Sequence, residues 1–246
     1  GCATAPLPQA AGGKPKNIIF FLGDGMGINT LTAARIYSVG EEGQLTLDTL
    51  PESAFVKTFS NDAQVTDSAA SMTAYMTGVK ANNGVISMNG GSAAPTLAEL
   101  AKQRGMAAGV VTTTRVTDAT PAATYAHVPK RELETEIAAS LVPGGAGYNA
   151  ALGATGLDLV FGGGVNAFVG TAQGGMRNDG RDLLAELRAQ GYRTPTNTAE
   201  LKALDERAGQ PVIGLFARSD MSLSGERNAA KEPSLTEMTS KAIDVL

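Results

Sequence analysis

Five short apolar runs separated by helix-forming sequence constrain this chain more than any other feature. They are Asn17–Leu22, Ala54–Phe59, Gly109–Thr114, Leu157–Phe161 and Pro211–Ala217. Most are continuous in hydrophobicity rather than alternating, the pattern of strands buried on both faces of a parallel sheet. Between them lie stretches with helical punctuation. Leu31–Val39 follows the first run, and Thr96–Arg104 is closed by Gly105. Asp182–Gln190 is stopped by Gly191, and Ser234-Leu235-Thr236-Glu237 is a capping box that opens a helix to Leu246. Such alternation predicts an α/β fold, a three-layer sandwich with a central, mostly parallel sheet flanked by helices. Residues 1–16, rich in Ala, Pro and Gly, read as a flexible leader ahead of one domain over 17–246. Gly162-Gly163-Gly164 reads as a tight turn and 221–233 as loop.

Composition narrows the function. A net charge of −4 without a dense Lys/Arg cluster argues against a nucleic-acid-binding surface. No apolar run approaches the roughly 20 residues of a membrane span. One cysteine, Cys2, leaves neither an internal disulfide nor a cysteine-based zinc site. Gly1-Cys2-Ala3 resembles the junction of a bacterial lipoprotein signal, with an incidental thiol as the plain alternative.

Chemistry concentrates where runs end. Val65-Thr66-Asp67-Ser68-Ala69-Ala70-Ser71 places a serine at the start of a small-residue helix, where free N–H groups and the helix dipole favour a tetrahedral anion. Thr, Asp and Ser are equally good helix caps. Asp24, in Gly23-Asp24-Gly25-Met26-Gly27, falls just past the first run. That spacing is not the dinucleotide-binding one, and a glycine-flanked carboxylate suits a hard metal or a simple turn. Asp118 and Thr120 could set two oxygens on one hard cation, and Asp118-Ala119-Thr120-Pro121 is also a helix start with Pro121 at the first helical position and the helix running through His127. His127, the only histidine, reads as a packing or hydrogen-bonding residue, since there is no second one to share a zinc ion.

Taken together, these segments resemble the alkaline phosphatase family. The resemblance rests on Phe20-Phe21-Leu22-Gly23-Asp24-Gly25-Met26-Gly27, Val65–Ser71, Thr73-Ala74-Tyr75-Met76-Thr77-Gly78-Val79-Lys80, Val111–Val116, Asp118–Ala122, Ala126-His127-Val128 and Arg131, in the family's order. Weaker matches are Phe161–Gly164, Gly214-Leu215-Phe216 with Asp220-Met221, and Pro233–Thr239. The resemblance implies a metal-dependent phosphomonoesterase with an alkaline phosphatase-like fold, two Zn²⁺ and one Mg²⁺. Ser68 matches the nucleophile that becomes phosphoserine and is also a zinc ligand. Asp24 matches the carboxylate bridging zinc and magnesium, and Asp118 and Thr120 match magnesium ligands. Arg131 matches the guanidinium that grips phosphate, and Asp67 the residue that orients it. Implied partners are phosphate monoesters, inorganic phosphate and a second subunit in a homodimer. The implied location is extracytoplasmic (periplasmic or secreted), with Cys2 as a candidate lipid anchor.

The departures matter as much. The family completes its zinc sites with aspartates, histidines and a glutamate that match nothing in these 246 residues, so the sequence resembles the amino-terminal portion of the enzyme and is expected to be inactive alone. Met72 lies within the nucleophile helix, Pro129-Lys130 precede Arg131, and Asp118 stands where some relatives carry histidine, which favours magnesium with oxygen ligands. A non-catalytic anion-binding module would use the same helix start and Arg131. A sulfatase-like enzyme needs a Cys or Ser in a C/S-x-P-x-R setting, which Ser68 lacks.

Overall fold

The structure, a computed structural model, describes residues 16–205 and 209–246. Cys2 and the leader up to residue 15 lie outside the described residues. The chain divides into two compact units, one ending at Ala54 and one spanning Phe55–Leu246. In chain order the helices and strands are α1 (Ile28–Val39), α2 (Ser68–Thr77), β1 (Met88–Asn89), β2 (Ser92–Ala93), α3 (Leu97–Gln103), β3 (Gly109–Arg115), α4 (Ala119–Ala122), α5 (Glu134–Ala139), β4 (Leu159–Gly163), α6 (Leu183–Ala189), α7 (Thr198–Lys202), β5 (Val212–Leu215) and α8 (Leu235–Val245).

In the larger unit β3, β4 and β5 form a parallel sheet in that order. Every residue of β4 and β5 is buried. The strand period of two sends their side chains into two cores. Val160, Ile213 and Leu215 face one core with Ile137 of α5 and Leu183 and Leu187 of α6. Leu159, Phe161, Val212 and Phe216 face the other with Leu201 of α7 and Met238 and Ala242 of α8. Helices on both faces make three layers, as the continuous apolar runs require. Full burial of a side chain such as Phe161 is worth about 1.5–3 kcal/mol.

The glycines after β4 serve close approach as well as turning. Gly162 and Gly163 belong to the strand, and the turn proper is at Gly164. A Cβ on Gly163 would sit 2.1 Å from the Ser219 carbonyl oxygen, so any side chain there would push away the 219–221 segment.

Two expected strands do not form. Residues 17–22 are irregular and exposed, with Phe21 74% accessible. A parallel strand exists only with a hydrogen-bonded neighbour, and among the described residues up to Ala54 there is α1, a 3₁₀ turn and no second strand. Residues 54–59 are likewise irregular, and Phe55 is 95% exposed. Lys57 and Thr58 interrupt that run's apolar face, and the Phe59 carbonyl accepts from Lys80 Nζ at 2.6 Å instead of joining a ladder.

The helix after Asp118 is also shorter than expected. Pro121 is its third residue rather than its first, where its missing N–H is still among those without an intrahelical partner. The helix ends at Ala122 instead of running through His127. The Thr124 hydroxyl donates to Pro121 O at 2.7 Å, and the buried Tyr125 hydroxyl to Val116 O at 2.6 Å, drawing the chain out of helical geometry.

Candidate active site

Helix α2 begins at Ser68 because Asp67 caps it. Asp67 Oδ1 accepts the Ala70 N–H at 2.9 Å, and Oδ2 accepts the Gly84 N–H at 2.9 Å. Gly84 has φ +81°, the left-handed region that favours glycine, which lets its amide face the carboxylate. Ala69, Ala70, Met72, Thr73 and Met76 bury the inner face of α2. Ser68 is thereby held in the first turn, where N–H groups lack intrahelical acceptors.

Arg131 reaches the same place along a short ladder. Ile86 N–H donates to Val128 O at 3.0 Å, Val128 N–H to Ile86 O at 3.1 Å, and Arg131 N–H to Gly84 O at 2.8 Å. Pro129 has no N–H to offer, and the bonding residues flank it. Arg131 Nη1 then donates to Ser68 Oγ at 3.1 Å and to Asp67 Oδ2 at 3.2 Å, and Nη2 to Asp118 Oδ1 at 2.9 Å. Burial opposes charge on Arg131, but its hydrogen bonds to Asp118 and Asp67 outweigh it and hold its pKa above the ordinary value. The side chains of Arg131, Asp67 and Asp118 are 28%, 25% and 21% exposed, so the cluster is open to a ligand.

Asp118 caps α4 just past β3, the edge at which open α/β sheets place their sites. Thr120 is half-buried two residues on. Asp24 lies in a turn ahead of α1, in the other unit. The structure therefore brings Asp67, Ser68, Asp118 and Arg131 together, with Thr120 on the same short helix as Asp118.

Sequence reasoning missed a second cation beside them. Arg115, the last residue of β3, pairs with Glu134 Oε2 at 3.0 Å, Asp220 Oδ1 at 2.8 Å and Asp118 Oδ1 at 3.6 Å. Both Arg115 and Asp220 belong to quoted motifs, but a glutamate three residues after Arg131 reads only as a first-turn acid. His127, by contrast, is hydrogen-bonded as expected, through Nε2 to buried Glu99 at 2.5 Å and Nδ1 to Ser87 O at 2.6 Å.

Comparison with known proteins places the chain as a whole. Residues 15–246 match the family model described as alkaline phosphatase. The chain is 36% identical to an alkaline phosphatase of Gadus morhua, over 95% of this chain and 57% of that protein. It superposes with a TM-score of 0.74 on a cold-active alkaline phosphatase of the psychrophile Shewanella sp., at 30% identity over 92% of this chain and 51% of the other. It matches a histidine-to-aspartate variant of the alkaline phosphatase of the Antarctic bacterium TAB5, which has Mg bound in its M3 site, with a TM-score of 0.70 at 29% identity, over 88% of this chain and 57% of that one. The chain thus spans a little over half the length of these relatives. On this evidence the chain belongs to the alkaline phosphatase family.

Proposed function

We propose that this chain carries the nucleophile and the phosphate-gripping arginine of a phosphomonoesterase that works through phosphoserine at Ser68. The observation that carries the proposal is that one guanidinium, Arg131, bonds the Ser68 hydroxyl and both flanking carboxylates at once. A cation donating to Ser68 Oγ favours its ionised form, and its planar guanidinium suits the equatorial oxygens of a phosphoryl group that displaces its present acceptors. Ser68 Oγ attacks phosphorus as the bond to the alcohol oxygen breaks, and the serine proton ends on the departing alcohol. Water then attacks phosphoserine, frees inorganic phosphate and returns the proton to Ser68. Asp67 holds α2 and Arg131 in register throughout.

The charge balance supports a divalent cation. Arg115 and Arg131 face four carboxylates, those of Asp67, Asp118, Glu134 and Asp220. This excess of two negative charges repels a phosphate dianion, and one divalent ion would offset it. Asp118 and Thr120 offer hard oxygen donors of the kind magnesium takes. Magnesium bound there would supply positive charge beside the transferring phosphoryl group. Zinc does not fit these residues alone: among the described residues no group of three or more His, Cys, Asp or Glu is placed to hold a metal, and tight zinc sites use four ligands. Residues 1–246 alone are accordingly expected to show no stoichiometric zinc in equilibrium dialysis and no Ser68-dependent turnover.

The test is to quench the full-length gene product at low pH with labelled phosphomonoester. Label on Ser68 supports the reading, and label on any other residue overturns it.

A further inference from the structure

Arg115 has more carboxylate partners than a simple surface ion pair needs, and they sit on three separate segments. Its Nε lies 3.1 and 3.0 Å from the two oxygens of Glu134, at the start of α5. Its Nη1 lies 2.8 Å from both oxygens of Asp220, beyond β5. Its Nη2 lies 3.6 Å from Asp118 Oδ1, the same oxygen that Arg131 Nη2 holds at 2.9 Å. Thr117 Oγ1 also donates to Glu134 Oε2, at 2.6 Å. All three guanidinium nitrogens of Arg115 face carboxylates, which leaves no free edge for a substrate.

Glu134 follows Arg131 by three residues. The Arg131 segment is therefore moored on one side by its own N–H to Gly84 O, and on the other by Glu134 to Arg115 and Thr117. Sharing Asp118 Oδ1 has a second effect, because Arg115 partly neutralises that carboxylate and weakens its hold on Arg131 Nη2. We propose that Arg115, acting through Glu134 and Asp118, is a positioning residue that aims the Arg131 fork at phosphate without touching it. This rests on the reading of Ser68 and Arg131 as the phosphate site.

A purely electrostatic role for Arg115 makes opposite predictions. Arg115→Lys keeps the charge but loses the planar fork, so electrostatics alone predicts no change in phosphate affinity. Glu134→Gln removes a negative charge near the site, so electrostatics alone predicts tighter phosphate. Positioning predicts weaker binding in both, because misplacing a binding group by even about 1 Å can cost up to about a hundredfold.

The experiment measures inorganic phosphate affinity by calorimetry, with KM and kcat for 4-nitrophenyl phosphate, on the full-length metal-loaded protein. In Arg115→Lys and in Glu134→Gln, phosphate Kd and KM should rise on the order of tenfold, with kcat changed by less than about threefold. The double variant should cost less than the two single losses added together, because the Arg115–Glu134 contact is common to both. If phosphate Kd is unchanged or tighter in Glu134→Gln, a variant that loses charge but little volume, Arg115 merely staples β3 to α5 and the proposal fails. Arg131→Ala is the control on the underlying reading. If it leaves phosphate affinity intact the phosphate site itself is wrong, whereas a loss there without one in the other two variants sinks only the positioning role.

Discussion

Two charged clusters in the larger unit have opposite characters. Around Arg131 the side chains are between 21% and 28% exposed, and one cation is spread over a hydroxyl and two carboxylates. Around His127 the geometry is closed. Glu99 is 2% exposed, and its carboxylate accepts from His127, the Asn149 amide and the Thr96 N–H. His127 in turn faces only acceptors, the Glu99 carboxylate and the Ser87 carbonyl. With Glu99 held ionised, both ring nitrogens are satisfied only when each carries a proton, which pairs an imidazolium with a carboxylate. The first cluster still has somewhere for a ligand to go, whereas the second is complete. Ionisable groups close together therefore mark a site only where their partners leave room.

The largest expected effect falls on the open cluster. In the full-length protein Ser68→Ala should abolish the phosphoryl-enzyme and lower kcat by at least about three orders of magnitude, with a residual water-attack route left over. Ser68 is only half-buried and alanine fits the first turn of a helix, so unfolding free energy should move by under about 0.5 kcal/mol. A turnover assay beside a denaturant titration reads both, and a large stability loss would mean that this cluster too is structural.

The closed cluster should behave in the reverse way. Glu99→Ala leaves an imidazolium without its counter-ion, strips the Thr96 N–H of its acceptor and the Asn149 amide of one of two, and removes the Glu99 half of the α3 capping box. The expected loss is about 3 kcal/mol of stability, visible in a urea midpoint. A midpoint within error of wild type would show that His127 simply sheds its proton when the partner goes. Asp67→Ala lies between the two. It removes the α2 cap, worth about 1 kcal/mol, and also one restraint on Arg131, so stability and phosphate affinity should both fall.

What could be read from sequence divides along similar lines. The strands β3, β4 and β5 were legible because Val, Ile, Leu, Phe and Thr in short glycine-bounded runs state burial on two faces, and their observed ends differ from expectation by one or two residues. The cap at Ser234 was legible because Ser-x-x-Glu makes its bonds within one turn of chain. Residues 17–22 have an equally apolar run and no strand, because pairing depends on a neighbour that the run itself does not encode. The β1–β2 hairpin went unread since each strand is two residues long, although Gly90-Gly91, both with positive φ, is a turn signal. Ser68, Asp67, Asp118 and Arg131 were legible as site candidates, Ser68 and Asp118 from local chemistry and Arg131 with Asp67's role only through family resemblance. The Arg115–Glu134 contact was not, because it spans 19 residues and nothing in either neighbourhood announces the other.

The smallest effect expected is a pH dependence carried by the closed cluster. Burial would lower the His127 pKa, but the bonds to Glu99 and Ser87 O outweigh it and hold it above the ordinary 6.5. Burial would raise the Glu99 pKa, yet the bonds from His127, Asn149 and Thr96 N–H hold it below the ordinary 4.5. A raised histidine contributes stability that is fully present below its unfolded pKa and is lost as pH climbs through the folded one. A depressed carboxylate contributes stability that is present above its unfolded pKa and is lost as pH falls through the folded one. The pair therefore stabilises most between about 4.5 and 6.5, fading on both sides. In His127→Gln the alkaline decline should flatten, since no group at that position then titrates, while Ser68→Ala should keep the wild-type profile. Thermal midpoints of the three proteins at intervals from acid to alkaline pH decide the matter. Parallel curves for wild type and His127→Gln above pH 6.5 would show that the ion pair is not what sets the alkaline limb of stability.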